Sequence, residues 1–514
     1  MFDNAPLGGV LSRAFTVAFD GITARPIEVQ CAIAPGLPGF SVVGLPDKAV
    51  SEARERVRTA FNTMGLAFPN KRITVNLSPA DLPKVGSHFD LPIAMALLGA
   101  MDVIPIDEVE GTLSLGELSL DGQLLPVSGA LPAAMTAADM DKTLLCPEAS
   151  GPEAAWVEAA HVLAPATLAA LVGHFSGRAP LTPAEAGAAV STNGGHKNMR
   201  DVKGQARAKR ALEIAAAGRH HMLMVGPPGA GKSMLASRIP SILPPLTPRE
   251  ALETSVIQSV AGELTGGQIS RTAPYRAPHH TATKSALVGG GTRVGPGEIS
   301  LAHNGVLFLD ELPEFSGAVL ETLRQPIETG EVRVARANAH VTYPARAMVV
   351  AAANPCRCGH LGDASRACAK APRCGQDYLG RISGPLLDRF DIRIEVPALS
   401  FQALETTERA ESSDVIAGRV ASARAVQIAR FADRPDTWLN SDAEGDVLDE
   451  IATPDEAGRA LLEKVDARFN LTSRGYHRIL RVARTIADLE GSPKVLEHHL
   501  AEAVSYRVTD LIAH

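Results

Sequence analysis

The sequence predicts an α/β protein of three blocks, and three observations carry this prediction. Between residues 201 and 397, short apolar strands alternate with helices, which is the pattern of a mainly parallel sheet covered by helices. A glycine-rich loop joins one of these strands to a helix. After residue 400, apolar residues recur at three- and four-residue spacing, as in Ala460, Leu461, Val465 and Phe469, which indicates helices.

The first block, residues 1–177, mixes β-rich runs with helical stretches and predicts an α+β domain. Strands are expected at residues 72–77 and 111–120, and a helix at 91–98. Residues 178–200 are predicted to form a linker, because this stretch is rich in Ala, Gly, Ser and Thr and contains a Gly-Gly pair. The central block covers residues 201–397 and the helical block residues 398–514.

Composition narrows the classes of function. A hydrophobic fraction of 45% over 514 residues predicts a folded protein. The net charge of -7 gives no global attraction for nucleic acid, so any DNA contact must come from local basic patches. The longest apolar run, residues 91–101, is too short to span a bilayer, and the N-terminus lacks the features of a signal peptide. Six cysteines in so long a chain do not suggest a disulfide scaffold, and a cytoplasmic protein without membrane contact is expected.

The strongest motif follows the apolar run 222–225 and opens a helix near Ser233. It consists of Gly226, Pro227, Pro228, Gly229, Ala230, Gly231, Lys232 and Ser233. Its glycines let the backbone curl so that N–H groups face phosphate oxygens. Lys232 is predicted to reach the β- and γ-phosphates of ATP, and Ser233 to bind Mg²⁺. Chance produces this pattern in only about 2% of chains of this length, so a nucleotide site is predicted.

Two further apolar strands end in polar residues that fit the same site. Residues 306–309 precede Asp310 and Glu311. Asp310 is suited to hold Mg²⁺ through water, and Glu311 to polarise the attacking water. Residues 347–353 precede Asn354, whose amide can orient that water near the γ-phosphate. The alternative for this asparagine is a turn former before proline.

Two arginines are candidates for contact with the nucleotide. Arg389 is predicted to stabilise the charge that develops on a phosphate held by a neighbouring subunit. The alternative is a surface ion pair with an adjacent aspartate, and Arg381 and Arg393 compete for the role. Arg474 starts a predicted helix in the last block, from which it can reach back to the nucleotide.

Two basic segments are candidates for contact with DNA. Residues 271–293 contain four Lys or Arg and no Asp or Glu, and three consecutive glycines at 289–291 predict a mobile loop. Its candidate contacts are Arg276, Lys284 and Arg293, with a solvated loop or a wall of the ATP pocket as alternatives. In the last block, four arginines share one helix face and suit an intersubunit, nucleotide-facing or DNA-binding role: Arg474, Arg478, Arg481 and Arg484.

Four of the six cysteines fall within a short segment: Cys356, Cys358, Cys368 and Cys374. Four thiolates can close a tetrahedral Zn²⁺ site and order an otherwise loose insertion. The C-x-C pair departs from the usual ligand spacing, and His360 is an alternative ligand. Free thiols on a loop are the other interpretation.

These motifs together resemble the ComM/YifB family, within the magnesium-chelatase-like branch of AAA+ ATPases. The resemblance spans essentially the whole chain. Besides the glycine-rich loop, it rests on residues 201–213, 276–281, 296–303, 310–311 and 381–385. It implies an AAA+ domain at 201–397 and a helical lid at 398–514.

The resemblance also implies a homo-oligomeric ring, a hexamer, that hydrolyses ATP and moves DNA. Branch migration during homologous recombination of incoming DNA, in natural transformation, is the implied activity, with single-stranded or branched DNA as the partner. A hairpin at about residues 331–346 would project into the ring pore and present Arg333 and Arg336 to DNA.

The first block resembles the Lon-protease domain, a ribosomal S5 domain 2-like fold, at residues 82–87, 116–122 and 125–127. A protease of this kind needs a Ser nucleophile and a Lys base. His88 stands where the Ser is expected and Leu131 where the Lys is expected, while Ser87 is one position off. The resemblance therefore implies a binding or assembly module without the catalytic dyad.

Three functions remain open from the sequence. A DNA-translocating motor leads. The motor subunit of a metal-chelatase-type enzyme has a similar ATPase core, but it is not expected to carry the fused Lon-like domain. A protein-remodelling ATPase usually grips peptide with an aromatic residue in the pore, and residues 331–346 offer only Tyr343, near the base of the hairpin.

Overall fold

The computed structural model describes residues 10–188, 197–291, 294–336, 339–361, 368–399, 410–434 and 437–507. It confirms the α/β class, with an α+β N-terminal domain, a central parallel sheet and a helical C-terminal domain. Arg293 and part of the predicted linker lie outside the described residues. The start of that linker is attached to the N-terminal domain, because Ala184 N–H donates to Val162 O (2.9 Å) and Gly187 N–H to Pro152 O (3.0 Å).

In the N-terminal domain, nine strands of the described residues form two sheets. They are β1 Val10–Asp20, β2 Thr23–Ala34, β3 Gly39–Val43, β4 Arg72–Ser78, β5 Thr112–Ser114, β6 Glu117–Leu118, β7 Leu124–Leu125, β8 Thr143–Leu145 and β9 Val162–Leu163. The main sheet has the order β3-β4-β2-β1-β5-β8-β9, and β6 pairs with β7 separately. The β-rich run predicted at residues 111–120 therefore contains two strands, β5 and β6, which belong to different sheets. The chain turns between them at Gly116, whose carbonyl accepts from Leu91 N–H (3.0 Å).

The N-terminal sheet is covered by helices. They are α1 Lys48–Thr63, α2 Asp90–Ala100, α3 Ile106–Glu110, α4 Ala130–Asp139, α5 Gly151–Ala154 and α6 Leu168–Phe175. Every residue of α2 is buried, which explains why the predicted helix is apolar on all sides. Its first residue, Asp90, is satisfied by two bonds from Arg56 (2.6 and 2.9 Å).

The described residues of the central domain are built on a parallel sheet of five strands. Its strands are β10 Met222–Val225, β11 Tyr275–Arg276, β12 Val306–Leu309, β15 Met348–Ala353 and β16 Ile392–Glu395. The order across the sheet is β11-β12-β15-β10-β16. Strands β10, β12 and β15 are buried along their whole length, as near-continuous apolar runs in a two-sided parallel sheet must be. An antiparallel hairpin lies in the connection between β12 and β15, at the predicted position. Its strands are β13 Glu331–Arg336 and β14 Ala339–Pro344.

Helices flank the central sheet on both faces. They are α7 Ala206–Gly218, α8 Lys232–Ala236, α9 Pro248–Ala261, α10 Lys284–Val288, α11 Glu298–Leu301, α12 Gly317–Thr322, α13 Arg324–Thr329, α14 Arg373–Leu379 and α15 Gly384–Leu387. Helix α13 leads through Gly330 straight into the hairpin strand β13, so the hairpin and this helix are one continuous segment.

The C-terminal domain is helical, as predicted. Its helices are α16 Ser413–Arg430, α17 Gly445–Ala452, α18 Glu456–Phe469, α19 Ser473–Leu489 and α20 Glu497–Arg507. One hydrophobic core contains Met224 and Phe308 of the central sheet together with Val420 and Leu480 of this domain. Because the core is continuous, the helices pack directly on one face of the sheet. In the part of the chain that the structure describes, no helix has the length and apolarity needed to cross a membrane.

The N-terminal domain contacts the central domain through α4, α5 and α9. Glu153 is buried and accepts from the Ser259 hydroxyl and from Leu131 N–H (3.1 Å). Trp156 Nε1–H donates to Gly267 O (2.6 Å). Leu131, the position of the missing protease lysine, therefore lies at a domain interface.

A buried ion pair joins the C-terminal helices to the central sheet. Asp391 is 3% exposed and pairs with Arg478 of α19, while His220 Nδ1 lies 3.4 Å from its other oxygen. Burial by itself raises the pKa of Asp391 and is the largest single effect, but the positive charge of Arg478 and the hydrogen bond and charge of His220 together hold the pKa well below its usual value. Arg478 also donates to Arg389 O (3.0 Å), so α19 is attached to the segment that carries Arg389.

We expect Arg478→Ala to destabilise the protein by about 3 kcal/mol, because it leaves the Asp391 carboxylate buried without its main partner. Urea unfolding followed by circular dichroism measures the change. Arg434→Ala is the matched control, since its partner Glu450 is 66% exposed and such pairs contribute less than about 1 kcal/mol. Equal losses for the two variants would contradict this account of Asp391.

Candidate nucleotide-binding site

The glycine-rich loop leaves the carboxyl end of β10 and enters α8 within a few residues. Gly226 N–H donates to Ala353 O at the end of β15 (3.1 Å). Gly229 and Gly231 have φ angles of 77° and 90°, which residues with a side chain rarely adopt. The helix begins at Lys232, one residue before the predicted start. The loop therefore has the curled backbone that a phosphate cradle requires.

Lys232 lies inside the loop that it follows. Its ammonium donates to Gly226 O (2.6 Å), Pro227 O (3.0 Å) and Asn354 Oδ1 (3.1 Å). Burial lowers the pKa of Lys232 and the nearby Asp310 raises it, with burial the larger effect. The predicted phosphate-binding lysine and the predicted water-orienting asparagine are thus in direct contact.

The two acidic residues after β12 lie opposite the loop. The Ser233 hydroxyl donates to Asp310 Oδ2 (2.6 Å), so the two predicted Mg²⁺ ligands adjoin each other. Their hard oxygen atoms are the ligands that Mg²⁺ prefers. Glu311 has φ 51° and is exposed, and its N–H donates to Asp310 Oδ1 (2.9 Å). A side-chain-bearing residue in this strained conformation is typical of functional sites.

Two contacts of the site were not predicted from the sequence. His280 Nδ1 lies 3.5 Å from Glu311 Oε2, so this histidine borders the candidate base. Gln205 Nε2 donates to Ala230 O (3.2 Å) and Pro397 O (2.8 Å) and connects the glycine-rich loop to the end of β16. Both partners are distant in the chain, so local sequence gave no signal for either contact.

Arg389 is engaged within its own subunit. Its guanidinium donates to Arg324 O (2.9 Å) and Pro385 O (2.6 Å) and pairs with Glu328, and its side chain is 8% exposed. Two of these partners belong to α13, the helix that continues into the hairpin. The alternative partners considered from sequence, the adjacent aspartates, instead accept from Arg478 and Arg507.

Arg389 lines a cleft of roughly 520 Å³ between the central and C-terminal domains. Arg474 lines the same cleft, and the part of the chain that the structure describes contributes no residue of the glycine-rich loop to it. Arg474 is thus grouped with Arg389 and not with the loop of its own subunit. Arg381, a competitor for the role of Arg389, instead contacts Pro313 and Glu314. Arg393, the other, is half-buried and donates to Leu387 O (2.7 Å).

The four arginines predicted to share one face of α19 divide into two groups. Arg474, Arg478 and Arg481 line the cleft. Arg484 is 1% exposed and bonds within its own domain, to Asp488 and to backbone carbonyls, so its role is structural.

The candidate DNA-binding residues differ in solvent exposure and in ion pairing. Arg333 is 69% exposed on the hairpin, and the side chain of Arg336 lies outside the described residues, as does Arg293. Lys284 is exposed at the start of α10. Arg276 bonds with Glu298 (2.7 and 2.9 Å) and with Glu263, so its geometry does not support the predicted DNA contact.

The glycines at 289–291, predicted to form a mobile loop, approach another backbone segment closely. Gly290 exchanges hydrogen bonds with Gly295 (3.0 and 3.4 Å), and a Cβ on Gly289 would lie 2.6 Å from Gly295 O. All three have positive φ. The lack of a side chain at Gly289 is therefore needed for this approach, and the positive φ angles favour glycine at all three positions.

The four clustered cysteines converge. The Sγ atoms of Cys356, Cys358 and Cys374 all lie within 4.8 Å of one another, and Cys368 interacts with the last two. His360 contributes its backbone to Cys358. The donor set thus suits a four-thiolate metal site, the chemistry that Zn²⁺ prefers.

The protease-like region of the N-terminal domain has no dyad at the expected positions. His88 is buried, its Nε2 contacts Val17 O (2.9 Å), and burial lowers its pKa to about 4. The Ser87 hydroxyl donates to Glu117 and not to a lysine. Leu131 is fully buried.

Comparison with family models gives consecutive matches along the chain. Residues 198–404 match the family described as magnesium chelatase, subunit ChlI. Residues 27–150 match the family described as subunit ChlI of Mg-chelatase, and residues 410–507 its C-terminal family.

Relatives similar over their whole length include the competence protein ComM of Haemophilus influenzae, 43% identical over 97% of this chain and 97% of the relative. The protein YifB of Escherichia coli is 42% identical, with 97% of each chain covered. A protein of Mycobacterium tuberculosis is 42% identical over 97% of this chain and 99% of its own.

We expect Gly226→Ala to abolish nucleotide binding, because the added Cβ would lie 2.1 Å from Val396 O and force β10 away from β16. Calorimetric titration with ATP measures the loss, and thermal unfolding reports the strain. Gly418→Ala is the control, since its Cβ would meet nothing within 4 Å. Unchanged ATP affinity in Gly226→Ala would contradict this description of the loop.

Proposed function

The chain belongs to the ComM/YifB family of magnesium-chelatase-like AAA+ ATPases, and from this premise we propose that it couples ATP hydrolysis to the movement of DNA. The proposed form is a hexameric ring, and the proposed activity is branch migration during homologous recombination of incoming DNA. The observation that carries the ATPase part is the convergence of Lys232, Ser233, Asp310 and Asn354 at one sheet edge.

ATP and Mg²⁺ fit the residues of this edge. Lys232, freed from the loop carbonyls, would hold the β- and γ-phosphates, and Ser233 and Asp310 would hold Mg²⁺. Bound Mg²⁺ neutralises charge on the phosphate oxygens. Glu311 acts as the base that orients and deprotonates the attacking water, and Asn354 supplies a second hydrogen bond to that water.

Arg389 and Arg474 act together on the nucleotide of a neighbouring subunit. They line one cleft, and the described part of their own glycine-rich loop does not reach it. This differs from the expectation that Arg474 reaches back to its own nucleotide. In the isolated subunit Arg389 is paired with Glu328, so it must exchange this carboxylate for a phosphate when subunits associate. That exchange would disturb α13 and, through Gly330, the hairpin.

DNA is the proposed partner because of the hairpin. Arg333 is exposed on it, and a cationic hairpin can follow a phosphate backbone without reading bases. Tyr343, the aromatic residue considered for gripping peptide, is 1% exposed and donates to Val294 O (3.0 Å), which disfavours protein remodelling. A similar relative is named a competence protein, which favours recombination of incoming DNA. Lys284 is a second candidate contact.

The metal-chelatase-type motor is the remaining alternative, because the family models bear that name.

We further propose that Cys356, Cys358, Cys368 and Cys374 hold a structural Zn²⁺. The N-terminal domain serves assembly or binding, and the cytoplasm is the proposed compartment, consistent with six cysteines that form no disulfide.

Steady-state ATP hydrolysis, with and without DNA, tests the proposal. We expect hydrolysis to be stimulated by DNA, most strongly by a four-way junction in comparison with single strands or duplex. Glu311→Gln should bind ATP yet hydrolyse it at least about 100-fold more slowly, because the water loses its base. Hydrolysis that ignores every DNA would remove the DNA motor and favour the chelatase-type alternative.

A mixing experiment tests the intersubunit role of Arg389. Arg389→Ala should bind ATP normally but lose about 10³-fold in hydrolysis rate. Lys232→Ala should not bind ATP, yet its intact Arg389 can serve a neighbour. Mixed rings of the two variants should therefore recover part of the activity. If the mixture stays as inactive as its components, Arg389 does not act between subunits.

A further inference from the structure

We propose that the four-cysteine segment braces the glycine-rich loop, so that Zn²⁺ bound by the cysteines sets the affinity for ATP. The inference rests on the zinc site proposed above and adds a function to it. In this arrangement the metal lies outside the nucleotide site, yet it holds one wall of that site in place.

The first step is the position of the segment in the fold. Cys356 follows Asn354 by two residues, directly after the end of β15, and is fully buried. Gly359 N–H donates to Cys356 O (3.0 Å), which closes a tight turn between the first two cysteines and the next residues. Because Asn354 contacts Lys232, any shift of this turn is transmitted to the lysine.

The second step is a direct contact between the turn and the glycine-rich loop. Gly359 has φ 82°, and a Cβ at this position would lie 2.4 Å from Cδ and 2.5 Å from Cγ of Pro228. Only a glycine allows so close an approach. Pro228 precedes Gly229, where the loop takes its own left-handed turn. The Gly359 backbone is therefore packed against the pyrrolidine ring of Pro228 in the glycine-rich loop.

The turn is also held on its other side, by helix α14. Cys374 belongs to α14, and the next residue, Gly375, packs against the turn: its Cβ would lie 2.6 Å from Leu361 Cδ2 and 3.1 Å from Pro355 O. A metal shared by Cys356, Cys358 and Cys374 would join the end of β15 to this helix. The turn that touches Pro228 is thus attached at both ends.

Four thiols at this spacing gain order when a metal links them, because binding and local folding are coupled. Without the metal, the turn samples conformations in which Gly359 no longer supports Pro228. The apparent ATP affinity falls in proportion to the fraction of chains whose loop is competent. If about one chain in ten stays competent, the affinity falls about tenfold.

The experiment measures zinc content by elemental analysis and MgATP affinity by calorimetry on the full chain. Wild type should contain one zinc per chain. Cys368→Ser should lose zinc and bind ATP about tenfold more weakly. Gly359→Ala should keep its zinc and lose ATP affinity to a similar extent, because the added Cβ displaces Pro228 while all four ligands remain. Cys146→Ala, a free cysteine in the N-terminal domain, and Gly418→Ala are the matched controls.

The two proposals fail in different ways. A wild-type chain without zinc overturns the metal site, whatever its ATPase activity. A zinc-containing chain in which Cys368→Ser or Gly359→Ala binds ATP as tightly as wild type overturns the brace and leaves the metal site standing. To guard against misfolded variants, zinc is also removed from wild type with a zinc-selective chelator. ATP affinity should fall and return when zinc is restored, and an unchanged affinity overturns the brace.

Discussion

The parallel pairing of β10, β15 and β12 is the constraint on which the candidate site depends. Val225 is in register with Ala353, and Leu309 with Ala351, so the three strands end almost level. The residues that follow them must then meet at one edge of the sheet. This register, and not any feature of the side chains themselves, brings both Asp310 and Asn354 within hydrogen-bond distance of the residues that follow the glycine-rich loop.

The packing of the C-terminal helices on the sheet positions the two candidate arginines. Because the C-terminal helices share a core with the sheet, Arg474 and Arg389 are carried by a single packed unit. The Asp391–Arg478 pair fixes their relative position. A cleft built in this way suits contact with another molecule more than contact with the subunit's own loop. The chain therefore has two chemically different faces, one with the phosphate cradle and one with the arginines.

Local features were predicted well, since each depends on neighbouring residues. The strand Met222–Val225, the hairpin and the start of α19 lie where the sequence indicated them. The partners of single charged side chains were not evident from the sequence. Arg276 belongs to a basic segment, yet its charge is matched by Glu298 and Glu263. Arg484 has the spacing of a shared helix face but is buried, because helix periodicity does not reveal which part of a face is covered.

By itself, then, the sequence determined the order of strands and helices, the curl of the glycine-rich loop and the residue types available to a nucleotide and its metal. Those properties arise from backbone preferences and from apolar periodicity over short stretches. The tertiary structure alone decided the pairings of Arg389 with Glu328, of His280 with Glu311 and of Gly359 with Pro228. Each joins segments that are distant in the chain, and their separation is set by the packing of the whole sheet and its helices.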